Sequence, residues 1–206
     1  MDPIALVDGD LPRSIGLPSV ETARPRTCSA CGAIADGGRQ VLHGHGVRRR
    51  LVAVPPRRWI GAARLLEVPA RRFRCTRCGT TCTVLPRGVL PRHLYSLFAI
   101  VFAWWLAVSP PLGVGLGDDA VYARQGVDRL TVGAETHRTG RRRWRSLARW
   151  AAKLGYGWPT RAVAGSTWRA RVASLLASFV AEAGEVTAAA VISCAVRGHV
   201  GSGVAM

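Results

Sequence analysis

From Leu97 to Val108 every side chain is apolar, and Pro110-Pro111 follow almost at once. The pattern predicts a buried core helix over Tyr95 to Val108, stopped where proline removes the next backbone donor. Its unbroken apolar run of 12 residues falls short of the roughly 20 that span a bilayer. Two amphipathic patterns follow. In "RTGRRRWRSLARWAAKLGYGWP", Trp144, Leu147, Ala151 and Leu154 share one helical face while Arg141, Arg145 and Arg149 recur at four-residue steps, and Gly155 and Pro159 close the segment. The apolar face is expected to dock on the helix from Tyr95, leaving the arginines outward. In "STWRARVASLLASFVAEAG", Ser166 is the expected cap and Trp168, Val172, Leu175, Leu176 and Phe179 the buried face. A short helix is expected from near Asp118. After Gly184 the chain is rich in Ala, Val and Gly without punctuation, which reads as a loose tail.

The first half follows a different rhythm. "RQVLHGHGVRRRLVAV" shows two β-rich runs around Gly44-His45-Gly46, expected to be a turn, and "ARLLEVPARRFRC" supplies a third run that ends on a cysteine. Two Leu-Pro steps, Leu85-Pro86 and Leu90-Pro91, then predict a stiff connector to the helices.

Cysteine spacing gives this half its chemistry. Cys28-x-x-Cys31 and Cys75-x-x-Cys78 are each followed by glycine, Gly32 and Gly79. Such turns converge two thiolates, and the glycine permits a left-handed residue behind the second ligand. Two of them complete a tetrahedral Zn2+ site, so one structural zinc is expected on Cys28, Cys31, Cys75 and Cys78. The 43 residues between Cys31 and Cys75 then read as a β-hairpin inserted between the knuckles. A redox pair would call for a βαβ setting, which the pattern lacks. Cys82 is expected to lie buried beside the site, Cys194 in the core, and His43 and His45 outside the ligand set. The opening "MDPIALVDGDLPRSIG" carries three acids and two prolines, unlike a secretory leader. A cytoplasmic setting is expected, and there clustered thiols point to metal rather than disulfides.

Charge changes the picture again. The chain of 206 residues has a formal net charge of +17, and Lys153 is the lone lysine beside its arginines. The excess lies in two blocks: residues 37–93 hold 13 basic side chains and one acid, and residues 138–171 hold 10 and none. Arginine forks onto phosphates and guanine edges, so a nucleic acid is the expected partner, gripped with strong salt dependence. The candidate contacts are Arg48, Arg49, Arg50, Arg57, Arg58, Arg71, Arg72, Arg74 and Arg77 in the first block, and Arg141, Arg142, Arg143, Arg145 and Arg149 in the second.

Catalysis is not expected. Four thiolates close a zinc site and leave no position for a reactive water. The acids past the ribbon, Asp118, Asp119, Asp128, Glu135, Glu182 and Glu185, lie in no βββαβ pattern, and no phosphate loop, HExxH or GxSxG motif is present.

The block "HGHGVRRR" with "RRFRCTRCGTTCTVLPRGVLPRHLYS", preceded by a CxxC pair, resembles the zinc-ribbon head of insertion-sequence transposases. It is most similar to an uncharacterised bacterial family that keeps this head and a helical region without a catalytic domain. The likeness runs from about Cys28 to about Phe179. It implies zinc on the four cysteines and a head that contacts DNA. The chain departs from the pattern at Cys82, where related ribbons more often carry an aromatic or polar residue.

The expectation is thus an α+β protein in four parts: a flexible segment over residues 1–27, a zinc ribbon over 28–86, a helical region with helix-turn-helix character over 92–183, and a loose tail over 184–206. Its expected role is zinc-dependent DNA binding as a transposase-like or mobile-element accessory factor. A ribbon that holds a protein partner, such as a transposase or polymerase subunit, and an RNA-binding protein are the alternatives. No membrane partner is expected, and the oligomeric state is left open.

Overall fold

The computed structural model describes residues 19–36, 39–56, 61–86, 88–90, 93–108, 115–126, 145–153, 157–199 and 204–205. It is a mixed α+β fold. Helix α1 spans Val20–Ala23, strands β1, β2 and β3 span Leu42–Val54, Arg64–Cys75 and Thr81–Val84, and helices α2, α3, α4, α5 and α6 span Leu97–Val108, Asp118–Gln125, Ser146–Ala151, Trp168–Ala183 and Ala188–Gly198. A two-residue strand, β4 (Val204–Ala205), adds to the far edge of a sheet ordered β1-β2-β3-β4, antiparallel throughout.

Gly44-His45-Gly46 is not the expected turn. β1 runs straight through it, with Gly44 opposite Phe73 and Val47 opposite Arg71. Two residues, His45 and Gly46, therefore face one, Arg72, which is a β-bulge. Gly46 takes φ 93° there, a conformation glycine adopts without a Cβ clash. The chain reverses later, between Val54 and Arg64.

The hairpin buries different faces at its two ends. Near the cysteines Leu42, Phe73 and Cys75 pack with Cys28, Ala33 and Cys82. At the other end Val52, Val54, Val68 and Ala70 pack with Leu85 and Val89. Side chains alternate along β2, so Val68 and Ala70 point to the side opposite Phe73 and Cys75. Among the described residues each face is thus half covered and half open.

The connector is part of the fold rather than a spacer. Leu85 and Val89 are buried, the Leu97 amide donates to Gly88 O at 2.7 Å, and the Ala53 amide donates to Leu94 O at 2.7 Å while Ser96 N returns a bond to Ala53 O. The end of β1 thereby docks in parallel against the chain entering α2. The Ser96 hydroxyl accepts from Ala99 N at 3.1 Å, capping α2.

Ten of the 12 residues of α2 are buried, at the centre of a core shared with α3, α4, α5 and α6. Leu147 and Ala151 of α4, and Val172, Leu175, Leu176 and Phe179 of α5, are all buried as expected, while Trp168, expected on the same buried face, is half-buried at the edge of the core. Trp104 Nε1 donates to Leu147 O at 3.3 Å, so α4 does dock on α2. Arg169 of α5 ties three elements together, donating to Ala107 O at 2.5 Å, to Leu116 O at 3.3 Å and to Asp118 Oδ1 at 2.5 Å. The cap of α5 is Thr167 rather than Ser166: its side chain accepts from Ala170 N.

Two boundaries need correction. Residues 188–198, expected in a loose tail over 184–206, instead form α6, which puts Val191, Ile192, Cys194, Ala195 and Val196 into the core. Trp158 Nε1 donates to Ala195 O at 2.9 Å. The N-terminal segment is structured from Ser19, whose hydroxyl caps α1; residues 1–18 lie outside the described residues, as do Arg57, Arg58, Arg141, Arg142, Arg143, Trp144 and Leu154. Among the described residues no single helix is long and apolar enough to cross a membrane.

Candidate metal centre and its basic surround

Two turns of the same build carry the four cysteines. In the first, Cys28 N donates to Ala33 O and Gly32 N to Cys28 O, both at 2.8 Å; in the second, Cys75 N donates to Thr80 O and Gly79 N to Cys75 O, both at 2.9 Å. The matching glycines take φ 68° and 71°. These bonds bend each backbone so that both of its thiols point the same way.

The four Sγ atoms lie within 4.8 Å of one another. Cys28 Sγ is 3.8 Å from Cys78 Sγ, and Cys31 Sγ is 3.8 Å from Cys75 Sγ. A disulfide would bring sulfurs to about 2.0 Å. Four sulfurs about 2.3 Å from a tetrahedral zinc stand about 3.8 Å apart, the edge of that tetrahedron. The cysteines are therefore positioned to hold a metal ion, and the spacing is compatible with structural zinc.

The local field favours thiolates at two corners. The backbone N–H of Cys31, then that of Ala30, holds the Cys28 thiol below its ordinary value. The Thr80 hydroxyl, then its N–H, brings Cys78 down to about 6. Thr80 is not singled out by the sequence, although it stands two residues past Cys78, where N–H donors to sulfur are found. Cys82 behaves differently: burial, then the neighbouring Cys28 and Cys75, push its thiol up. It is buried in the cluster with Phe73, which it faces across the β2–β3 pair, and it stands outside the ligand set. Cys194 is buried in the helical core. His43 and His45 are exposed; His43 Nε2 lies 3.0 Å from Gln40 O.

The strand arginines divide by face and by partner. Arg48 and Arg50 pair with Ala70 and Val68, so by alternation they share a side of the sheet with Arg72 and Arg74. Near the cysteines this side is the open one. Arg48 and Arg74 are exposed and Arg72 half-buried, while Arg50 Nη2 donates to His93 O at 3.1 Å. Arg49 and Arg71 fall on the other side, where Arg49 forms an ion pair with Glu67 across the strands. Arg77 is exposed on the second knuckle, and Arg145 and Arg149 are exposed on α4. No protein-family model, curated protein or solved structure matches the chain.

Proposed function

We propose that the protein is a zinc-dependent DNA-binding protein without a catalytic site, a transposase-like or mobile-element accessory factor of the bacterial cytoplasm. The observation that carries the proposal is the four-sulfur cluster at the end of a hairpin whose open side bears Arg48, Arg72 and Arg74. In this reading Cys28, Cys31, Cys75 and Cys78 hold one Zn2+ that cross-links the two knuckles. The sheet there has a small core of its own, and a cross-link contributes folding free energy that such a core lacks. The zinc serves shape, and the arginines serve binding.

The resemblance to transposase zinc-ribbon heads is compatible with this arrangement, as is a helix-turn-helix role for the helical part. On that role α4 is the counterpart of a recognition helix, with Arg145 and Arg149 outward; the link from α3 to α4 lies outside the described residues. One preparation tests the proposal, by zinc per chain from elemental analysis and by duplex affinity at two salt concentrations before and after chelation. One zinc per chain, with affinity that falls steeply with salt and at least about tenfold on chelation, is the expected result. Zinc without duplex binding would favour a protein-binding ribbon instead, for which the exposed Val47 and Leu51 on the outer strand β1 supply the apolar contacts.

A further inference from the structure

The sequence separates its basic residues into two blocks, but the fold brings the ends of those blocks together. His93 is the meeting point. From the first block, Arg50 on β1 donates through Nη2 to His93 O at 3.1 Å. From the second, α4 lies against the same connector, with Trp150 edge-on to Tyr95 at a ring separation of 5.1 Å. Burial first, then the charges of Lys153 and Arg50, hold the His93 imidazole below its ordinary value, as expected if both cations stand close by.

On each side of this junction the cations continue in a row. On the sheet, Arg50, Arg48, Arg72 and Arg74 follow one another along one side, from the half-buried Arg50 and the exposed Arg48 at the edge of the part that Leu85 and Val89 cover to Arg72 and Arg74 on the open part, a distance of about 20 Å at about 3.4 Å per strand residue. The glycine bulge opposite Arg72 leaves β2 itself unbroken. Past the junction, Lys153, Arg149 and Arg145 are exposed at four-residue steps, about 12 Å at 1.5 Å per helical residue. Leu147 and Ala151 turn inward between them. No acid appears among the residues that form either row, and Glu67, the acid of the first block, is engaged with Arg49 on the opposite side.

We infer that the open sheet face and the outer side of α4 form one continuous cationic tract, and that a single DNA duplex lies across both, held by its phosphates. The inference rests on the DNA-binding reading above and specifies its footprint. A row of cationic groups suits a repeating backbone of negative charge. Each phosphate neutralised adds about 0.9 to the dependence of log affinity on log salt.

The test uses the zinc-loaded full chain and a labelled 20-base-pair duplex of mixed sequence, with affinity measured across a salt series. Two double variants are compared, Arg72→Gln with Arg74→Gln, and Arg149→Gln with Lys153→Gln, with zinc content and helical circular dichroism checked for each. One duplex per chain is expected, each double variant flattening the salt slope by about 1.8 and the quadruple variant by about twice that. A wild-type chain that ignores the duplex overturns both readings. Binding that one double variant leaves unchanged, or two duplexes per wild-type chain, overturns the single tract while DNA binding itself stands. Tighter binding of a folded RNA than of the duplex overturns the choice of ligand.

Discussion

Gly32 and Gly79 hold positive φ with room for a methyl group: nothing lies within 4 Å of a Cβ on Gly32, and a Cβ on Gly79 would meet only Arg74 Nη2, at 4.0 Å. Gly88 also holds positive φ, 82°, but a Cβ there would come within 2.2 Å of the Phe98 ring. The first two need glycine for the backbone alone, whereas the third needs it for space as well. Alanine at Gly32 or Gly79 is expected to cost about 1–2 kcal/mol, the left-handed penalty. Alanine at Gly88 adds about 1–3 kcal/mol of overpacking against a buried ring. Urea unfolding of the three zinc-loaded variants checks the order; equal midpoints would show that Phe98 yields without cost. At this scale the four clustered cysteines were legible in the sequence, because two thiols and the glycine behind them are set by five consecutive residues. Gly44-His45-Gly46 reads as a turn in the sequence because glycine marks a turn as readily as a bulge, and only the partner strand decides which. The share of each arginine was hidden for the same reason: Arg48 and Arg49 are neighbours in sequence, yet pairing turns one to the open face and the other to Glu67.

Among the elements, α6 departs furthest from expectation. Its sequence, AAAVISCAVRG, lacks the charged face that usually marks an amphipathic helix, so its period was easy to overlook. The cap was there to be read: the Thr187 hydroxyl accepts from Ala190 N at 3.2 Å, the same bond that Thr167 makes at the head of α5. What α6 contributes follows from what it covers. It buries Val191, Ile192 and Val196 in the core that holds Phe179, and its Ala195 carbonyl accepts the indole proton of Trp158. Truncation after Glu185 would strip that core of several buried side chains, each contributing about 1.5–3 kcal/mol, and would orphan a buried donor. The helical region is expected to lose its fixed tryptophan environment, read as collapse of the near-ultraviolet circular dichroism of Trp104 and Trp158. A truncated chain with an intact near-ultraviolet spectrum would restore the reading of this segment as a tail. The helix from Trp168 was legible because it repeats its apolar positions at helical spacing over several turns, and the helix from Leu97 because its unbroken apolar run ends just before Pro110 and Pro111.

Among the described residues of the whole molecule, three cores of unequal size stand in series. The cysteine cluster packs around Phe73, the middle of the hairpin packs on Leu85 and Val89, and the helices form the largest core around α2. The sequence announced the two ends of this arrangement but not how they join, since the joint is made of backbone bonds from Ala53 to Leu94 and Ser96 that no side-chain pattern encodes. The arrangement sets what metal removal does. Trp104 and Trp158 lie in the helical core, which among the described residues includes none of the four clustered cysteines, whereas Cys28 and Cys75 are themselves part of the small core around Phe73. Chelation should therefore loosen the knuckle end, including Arg72 and Arg74, and leave the helices folded. The expected record is a retained helical signal and unchanged tryptophan emission, together with fast amide exchange confined to β3 and the knuckle end of β2. Loss of helix and sheet together on chelation would mean that the connection through Ala53 couples the cores into one cooperative unit, with the metal stabilising the whole chain rather than the ribbon.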